Sequence, residues 1–297
     1  MKALLLTINW NPDPVFLNIA GNFSIRYYGL LWVVGIALSY LMVRQQYIDR
    51  KIDEKKFDPL FFYCFFGMII GARLGHCLFY GFDYYFTSWK GFVEIFKVWE
   101  GGLASHGGTI MLILCMWWFA NKYGKKNHID FLWILDHLCI AVAFAGAFIR
   151  LGNLCNSEIY GNVTDLPWGF IFERRGETEP KHPTQIYEAL SYLILGLCLV
   201  WLYIKKLDRM YRGTFIGIFF IGCFGMRFLI EFIKEPQEAF ENDMVLNMGQ
   251  TLSIPFIILG ICLLFYSFTK KIPARAVIPD TRTKKAEPTH YAKSLNK

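Results

Sequence analysis

Apolar runs long enough to cross a bilayer alternate along this chain with short polar connections. Residues 27–43, 101–120, 189–204 and 244–269 contain no Asp, Glu, Lys or Arg, and a membrane-spanning α-helix needs roughly 17–25 predominantly apolar residues. The pattern predicts seven spans, over 26–46, 58–81, 103–121, 129–150, 183–205, 213–233 and 249–269. No internal repeat accompanies them. The expected fold is an all-α polytopic membrane protein with seven transmembrane helices and a small extracytoplasmic head. A segment 1–25 precedes the membrane domain 26–269, the loop 151–182 forms the head, and a tail 270–297 follows.

Lysine and arginine are distributed unevenly between the two sets of connections. Residues 44–56 carry five, 122–126 three, 205–212 four and the tail from Lys270 eight, twenty on one side. The opposite side (the N-terminus through Arg26, then 81–102, 151–182 and 234–248) carries eight. Cytoplasmic loops hold the excess of basic residues, so the N-terminus is expected outside and the C-terminus inside. The tail, rich in Pro, Lys and Thr without apolar periodicity, is expected to be disordered and cytoplasmic.

Composition narrows the class. At 55% hydrophobic and 19% charged over 297 residues the chain is too apolar for a soluble domain. A net charge of +7 would suit nucleic acid, but the topological bias accounts for the basic residues, and no nucleic-acid partner is expected. The eight cysteines fall mostly one or two per apolar run and form no Cys-x-x-Cys pair. Neither a disulfide framework nor a metal site is therefore expected. The opening Met1-Lys-Ala-Leu-Leu-Leu-Thr7 has too short an apolar core for a signal peptide.

Charges inside the runs point to a site. Arg73, Arg150 and Arg227 lie about 15, 20 and 14 residues from the inner edges of the second, fourth and sixth spans. At 1.5 Å per residue that is roughly 21–30 Å, in the outer half of the membrane. The odd-numbered spans run the other way and carry polar residues near their starts: Tyr28, His106, Gln185 with Tyr187 and Glu188, and Asn247 with Gln250. Polar residues from all seven spans thus gather at one depth. The stretch Arg150-Leu-Gly-Asn-Leu-Cys-Asn-Ser-Glu-Ile-Tyr-Gly161 lies at their centre, with Asn153, Asn156 and Glu158 adding hydrogen-bonding groups.

Arginines at headgroup depth suit a phospholipid phosphate, because the planar guanidinium donates two parallel hydrogen bonds. Glu231 follows Arg227 by four residues on the same helical face, so an ion pair between them is the competing expectation. Glu100-Gly-Gly-Leu-Ala-Ser-His-Gly-Gly-Thr109 surrounds His106 with four glycines. A histidine there can take a proton from a thiol or hydroxyl, or serve as a hydrogen-bonded interfacial residue. Lys181-His-Pro-Thr-Gln-Ile-Tyr-Glu188 fits the first turn of a helix as well as it fits a binding role.

These motifs together, in this order, resemble the bacterial prolipoprotein diacylglyceryl transferases over roughly residues 20–268. The segments that carry the resemblance are Ile25-Arg-Tyr-Tyr-Gly29, Gly71-Ala-Arg-Leu-Gly75, Gly101-Gly-Leu-Ala-Ser-His-Gly-Gly108 and Arg150-Leu-Gly-Asn153 through Gly161. His182-Pro-Thr-Gln-Ile-Tyr-Glu188, Arg227-Phe-Leu-Ile-Glu-Phe232 and Met248-Gly-Gln-Thr-Leu-Ser-Ile-Pro255 complete it. The segment after His106 and the loop 170–182 depart most from the family's pattern.

The resemblance implies transfer of an sn-1,2-diacylglyceryl group from phosphatidylglycerol to the lipobox cysteine of a prolipoprotein signal peptide. Glycerol 1-phosphate is released. It further implies seven spans in a bacterial cytoplasmic (inner) membrane, surrounded by membrane lipids, with no metal and no cofactor. By motif position the family's essential residues fall on Tyr28, His106, Arg150, Asn153 and Gly161, with Glu158, Arg227 and Glu231 at further important positions. On that basis His106, Arg150, Arg227 and Tyr28 are expected to be catalytic. Asn153, Glu158, Gly161, Glu231 and Arg73 are expected to bind substrate, and His106 is either the base or a positioning group. A transporter of an anionic lipid or solute is the main rival class; it would show inverted repeats or broken helices at the midplane. An intramembrane protease would need a paired nucleophile and base, or two buried acids.

Overall fold

The structure is a computed structural model that describes residues 7–19, 23–50, 57–98, 101–124, 129–236 and 244–274. The elements run β1 (Ile8–Trp10), β2 (Val15–Ile19), β3 (Phe23–Arg26), α1 (Tyr27–Asp49), α2 (Phe57–Phe79), α3 (Phe82–Phe86) and α4 (Trp89–Glu94). They continue with α5 (Ser105–Phe119), α6 (Phe131–Cys155), β4 (Phe170–Phe172), α7 (Thr184–Lys206), α8 (Thr214–Ile230) and α9 (Met248–Lys270). Most of the expected tail, 275–297, lies outside the described residues.

Six helices, α1, α2, α6, α7, α8 and α9, are long and apolar enough to cross a membrane, so the chain is a polytopic helical membrane protein. The helix in the third expected span is shorter. α5 has 15 residues and passes into a π-helical turn over Ala120–Gly124. Glycines govern how it packs. A Cβ on Gly71 would stand 2.6 Å from the Gly107 carbonyl oxygen, and one on Gly75 would stand 2.8 Å from Gly107 Cα. Only bare backbone permits α2 and α5 to cross so closely, and the contacts run antiparallel, from Gly67 beside Cys115 to Gly75 beside Ala104.

α6 is the most enclosed of the long helices, packed by α1, α7 and α8. Its Asp136 supplies a cap that α8 lacks. Gly213 N and Ile216 N donate to the Asp136 carboxylate at 2.6 and 2.9 Å, satisfying first-turn amides that no local side chain reaches. α6 and α8 are thereby fixed to each other at the end opposite Arg150.

Outside the helices the structure adds strands that the apolar pattern did not foretell. β2 and β3 form an antiparallel hairpin leading into α1. β1 pairs in parallel with β4, Ile8 to Phe170 and Trp10 to Phe172. Trp10 Nε1 also donates to the Leu154 carbonyl at 2.9 Å, so the N-terminal segment is stitched onto the last turn of α6 as well as onto β4 in the loop that follows.

Candidate active site

The end of α6 gathers most of the expected residues. Arg150 Nε stands 2.8 Å from Glu188 Oε2, an ion pair whose alignment is too poor for a hydrogen bond. Arg150 Nη1 donates to Asn153 Oδ1 at 3.3 Å, and Asn153 Nδ2 donates to Glu158 Oε1 at 2.7 Å. Asn156 Nδ2 reaches the same Glu158 oxygen at 3.4 Å. Tyr28, in the first turn of α1, lies close against Gly152, where a Cβ would come within 2.8 Å of its ring, and it faces both Glu158 and Arg150.

The loop after α6 holds this arrangement under strain. Ser157 (φ 53°) and Ile159 (φ 62°) both occupy the left-handed region, which for a residue such as isoleucine costs of order 1–3 kcal/mol. Gln185 Nε2 donates to the Glu158 carbonyl and Thr184 Oγ1 to the Ile159 carbonyl, each at 2.8 Å. The His-Pro-Thr-Gln stretch therefore starts α7 and clamps the loop at once. Gly161 sits where the loop meets the segment after α8: its N–H donates to the His182 carbonyl at 2.8 Å, and a Cβ would lie 2.3 Å from the Ile233 carbonyl oxygen. No other residue fits there without displacing backbone.

Arg227 and Glu231 do not form the ion pair that their spacing suggested. Glu231 still keeps helical dihedrals and its N–H still donates to the Arg227 carbonyl, so the two residues share a face; it is the side chain of Glu231 that turns to another partner. Glu231 is paired with Lys234 instead, Nζ to Oε2 at 3.0 Å. Lys234, 4% exposed, also contacts Glu188 Oε1 at 2.9 Å. A chain of alternating charge, Glu231–Lys234–Glu188–Arg150, thus runs through the interior. Arg227 faces Tyr192, beside Arg150, and its Nε is buried with no hydrogen-bond partner. Asn156 Oδ1, Gln185 Oε1 and Gln250 Nε2 are likewise buried and unpartnered. Polar atoms left so in a folded protein mark a ligand site or bound water.

Arg73 is placed elsewhere. Its Nε donates to the Ile95 carbonyl at 2.9 Å, Nη1 to those of Gly101 and Gly102 at 2.7 and 3.2 Å, and Nη2 to that of Glu94 at 2.6 Å. The guanidinium holds the carbonyls of Glu94, Ile95, Gly101 and Gly102 ahead of α5, which is where the structure places this expected substrate-binding residue. His106 lies in the first turn of α5, exposed, with its ring 5.2 Å from Phe79 and 5.8 Å from Tyr80. It belongs to the α2–α5 pair and, among the described residues, makes no hydrogen bond to the Arg150 group.

A cavity of about 390 Å³ is walled by α1, α2, α5 and α6. Its α6 wall runs from Ile134 to Ile149, the residue before Arg150, and its α5 wall includes Thr109, one turn from His106. The walls are almost wholly apolar. Beyond the helix ends, Lys181 Nζ contacts Glu177 at 3.1 Å and also Glu235, tying the loop before α7 to the segment after α8. Burial alone would raise the Glu177 pKa, but the hydrogen bonds from Tyr160 and Lys181 outweigh it and leave this carboxyl below its ordinary value.

Lys234 and the bridging part of Glu188 were not anticipated. The signal available was a lysine three residues after a membrane glutamate, inside a connection otherwise counted only for its charge.

The sequence profile of the prolipoprotein diacylglyceryl transferase family matches residues 14–266. Among curated relatives, the phosphatidylglycerol–prolipoprotein diacylglyceryl transferase of Bacteroides fragilis is 50% identical over 280 residues, covering 91% of this chain and 99% of that protein. Those of Porphyromonas gingivalis and Tolumonas auensis are 45% and 40% identical, over 86% and 88% of this chain and 93% and 98% of theirs.

Proposed function

The chain belongs to the prolipoprotein diacylglyceryl transferase family, and from that premise we propose that its arginine cluster and apolar cavity together receive phosphatidylglycerol. The enzyme transfers the sn-1,2-diacylglyceryl group of that lipid to the thiol of a lipobox cysteine in a prolipoprotein. The observation that carries the reading is that an apolar cavity of about 390 Å³ extends along α6 as far as Ile149, the chain neighbour of Arg150, while Arg150 and Arg227 both act on Tyr192. An anionic head and an apolar body match an anionic lipid, and nothing in the arrangement favours a transported solute.

In the reaction the cysteine sulfur attacks the glyceryl carbon that bears the phosphate ester. The C–S bond forms as the C–O bond breaks, the electron pair leaves with glycerol 1-phosphate, and the thiol proton goes to a base or to water. Arg150 and Arg227 offset the charge that builds on the departing phosphate. Tyr28, Asn153 and Glu158 orient the headgroup and Arg150. Gly161 keeps the loop against the 231–235 segment, and Glu231 acts through Lys234. No step calls for a metal or cofactor, since the phosphate ester already supplies a leaving group.

α5 is the third of seven spans, carried alongside α2 by the glycine crossing. The N-terminus and the loop 151–182 face outward from the cytoplasmic membrane, following the basic-residue count. Two measurements test this reading. Purified protein in phosphatidylglycerol should add a diacylglyceryl mass to a lipobox peptide and none to its Cys→Ser form, because a neutral hydroxyl is a far weaker nucleophile near pH 7. A reporter fused after residue 270 should read cytoplasmic and one inserted near Glu177 external. An unmodified cysteine peptide sinks the activity, and reversed reporters sink the orientation.

His106 is the proposed base, lying one turn from the cavity wall at Thr109. A free thiol has a pKa near 8.5, so at alkaline pH the substrate ionises unaided. His106→Gln should lose most activity near pH 7 and regain part of it by pH 9. Equal loss at both values in the folded variant would leave His106 a positioning residue.

A further inference from the structure

A second cavity, polar where the first is apolar, is bordered by Asn156 and Glu158. It measures about 340 Å³ and is lined by Pro14, Arg26, Asn156, Glu158, Arg174 and Arg175. Three arginines and one carboxylate therefore line it, and among the described residues none of the three arginines is in an ion pair. Arg175 donates its Nε to the Ser157 carbonyl at 2.9 Å, which ties its side chain to the loop after α6. The other two arginines come from different elements, Arg26 from the end of β3 and Arg174 from the turn after β4. The parallel pairing of β1 with β4 and the hairpin of β2 with β3 bring those elements to one place.

The chemistry of the transfer says what such a cavity suits. Phosphatidylglycerol carries a phosphodiester with one negative charge. Breaking its C–O bond leaves glycerol 1-phosphate, a phosphomonoester close to a dianion near neutrality. Charge on the headgroup thus increases at the moment it is freed. Arg150 holds the diester from within, beside Glu188, and Asn153 and Glu158 link it to the second cavity through hydrogen bonds of 3.3 and 2.7 Å. Three arginines against one glutamate give a formal charge of +2 where the product needs it, outside the apolar region.

We propose that the Arg26–Arg174–Arg175 cavity is the leaving-group subsite: it takes the glycerol phosphate headgroup as a phosphomonoester and conducts it to the aqueous side. The proposal rests on the transferase reading. It makes the cavity selective for the product over the intact lipid, because arginine pairs best with a phosphate whose oxygens are free for bidentate hydrogen bonds. Arg150 remains the group that binds the diester.

The test is product inhibition in the full-length enzyme. Glycerol 1-phosphate is added to the peptide assay for wild type, Arg174→Gln and Arg26→Gln, with glycerol and inorganic phosphate as separate additions. Removing either guanidinium should weaken inhibition by glycerol 1-phosphate roughly tenfold or more, while the rate of a single turnover changes little. Glycerol should not inhibit, and inorganic phosphate should inhibit with the same dependence on the two arginines. Arg175→Lys, which keeps the charge but loses the planar fork and the Nε bond to Ser157, should weaken inhibition as well. Unchanged inhibition constants in both Gln variants overturn the subsite. So does a rise in the KM for phosphatidylglycerol with inhibition unchanged, which makes the cavity a lipid-capture surface. A wild type that modifies no peptide at all refutes the transferase reading itself, a separate outcome.

Discussion

Replacing Arg150 by lysine should damage the enzyme nearly as much as replacing it by alanine. The guanidinium performs two tasks in fixed directions: Nε faces Glu188 Oε2 at 2.8 Å and Nη1 donates to Asn153 at 3.3 Å. An ammonium keeps the charge but offers no planar fork, so it cannot hold Glu188 and Asn153 and also present parallel N–H groups to a phosphate. Removing one such electrostatic interaction from a site that excludes water costs about 2–4 kcal/mol at the transition state, roughly a 30- to 1000-fold fall in rate. The measurement is kcat/KM for peptide modification in Arg150→Lys and Arg150→Ala, with folding checked by thermal unfolding. A lysine variant within a few-fold of wild type excludes the bidentate role, and an active alanine variant moves the site elsewhere.

How much of this was legible in the sequence depends on the range of the interactions concerned. Hydropathy runs located all the long helices, because a helix in a bilayer must satisfy its backbone internally whatever its neighbours are. The Arg150–Gly161 stretch was legible because a charge beside an apolar run is costly unless it has a partner. The partner was not. Glu188 lies 38 positions away by sequence number, and no periodicity connects it to Arg150. Arg227 and Glu231 failed for a different reason. The i, i+4 rule holds for the backbone, which stays helical through Glu231, but a buried lysine three residues further on takes the carboxylate instead. Arg73 was indistinguishable from Arg150 by depth alone. What separates them is that Glu94, Ile95, Gly101 and Gly102 offer Arg73 four carbonyls, a geometry invisible to hydropathy. The β1–β4 pairing was hidden likewise, since it joins Ile8 to Phe170 across most of the membrane domain.

Lys234→Met should be the most disruptive single change away from the arginines, and a second substitution should partly repair it. The lysine is almost fully buried and contacts Glu188 Oε1 at 2.9 Å and Glu231 Oε2 at 3.0 Å. Glu188, fully buried, is also the ion partner of Arg150. Methionine fills a similar volume but leaves two carboxylates facing one guanidinium. Removing one member of a buried ion pair costs on the order of 3–5 kcal/mol, and the uncompensated charge draws Arg150 more tightly to Glu188, away from the phosphate. A lower melting temperature and a raised KM for phosphatidylglycerol are both expected. Lys234→Arg should restore most activity by retaining the charge. Glu231→Gln placed on top of Lys234→Met removes the surplus negative charge without touching the Glu188–Arg150 pair, so the double variant should bind phosphatidylglycerol better than Lys234→Met alone. A purely packing role predicts the opposite: an additive loss in the double variant, with no recovery of KM. That outcome would reduce Lys234 to a structural residue and leave the charge on Arg150 to be set by Glu188 alone.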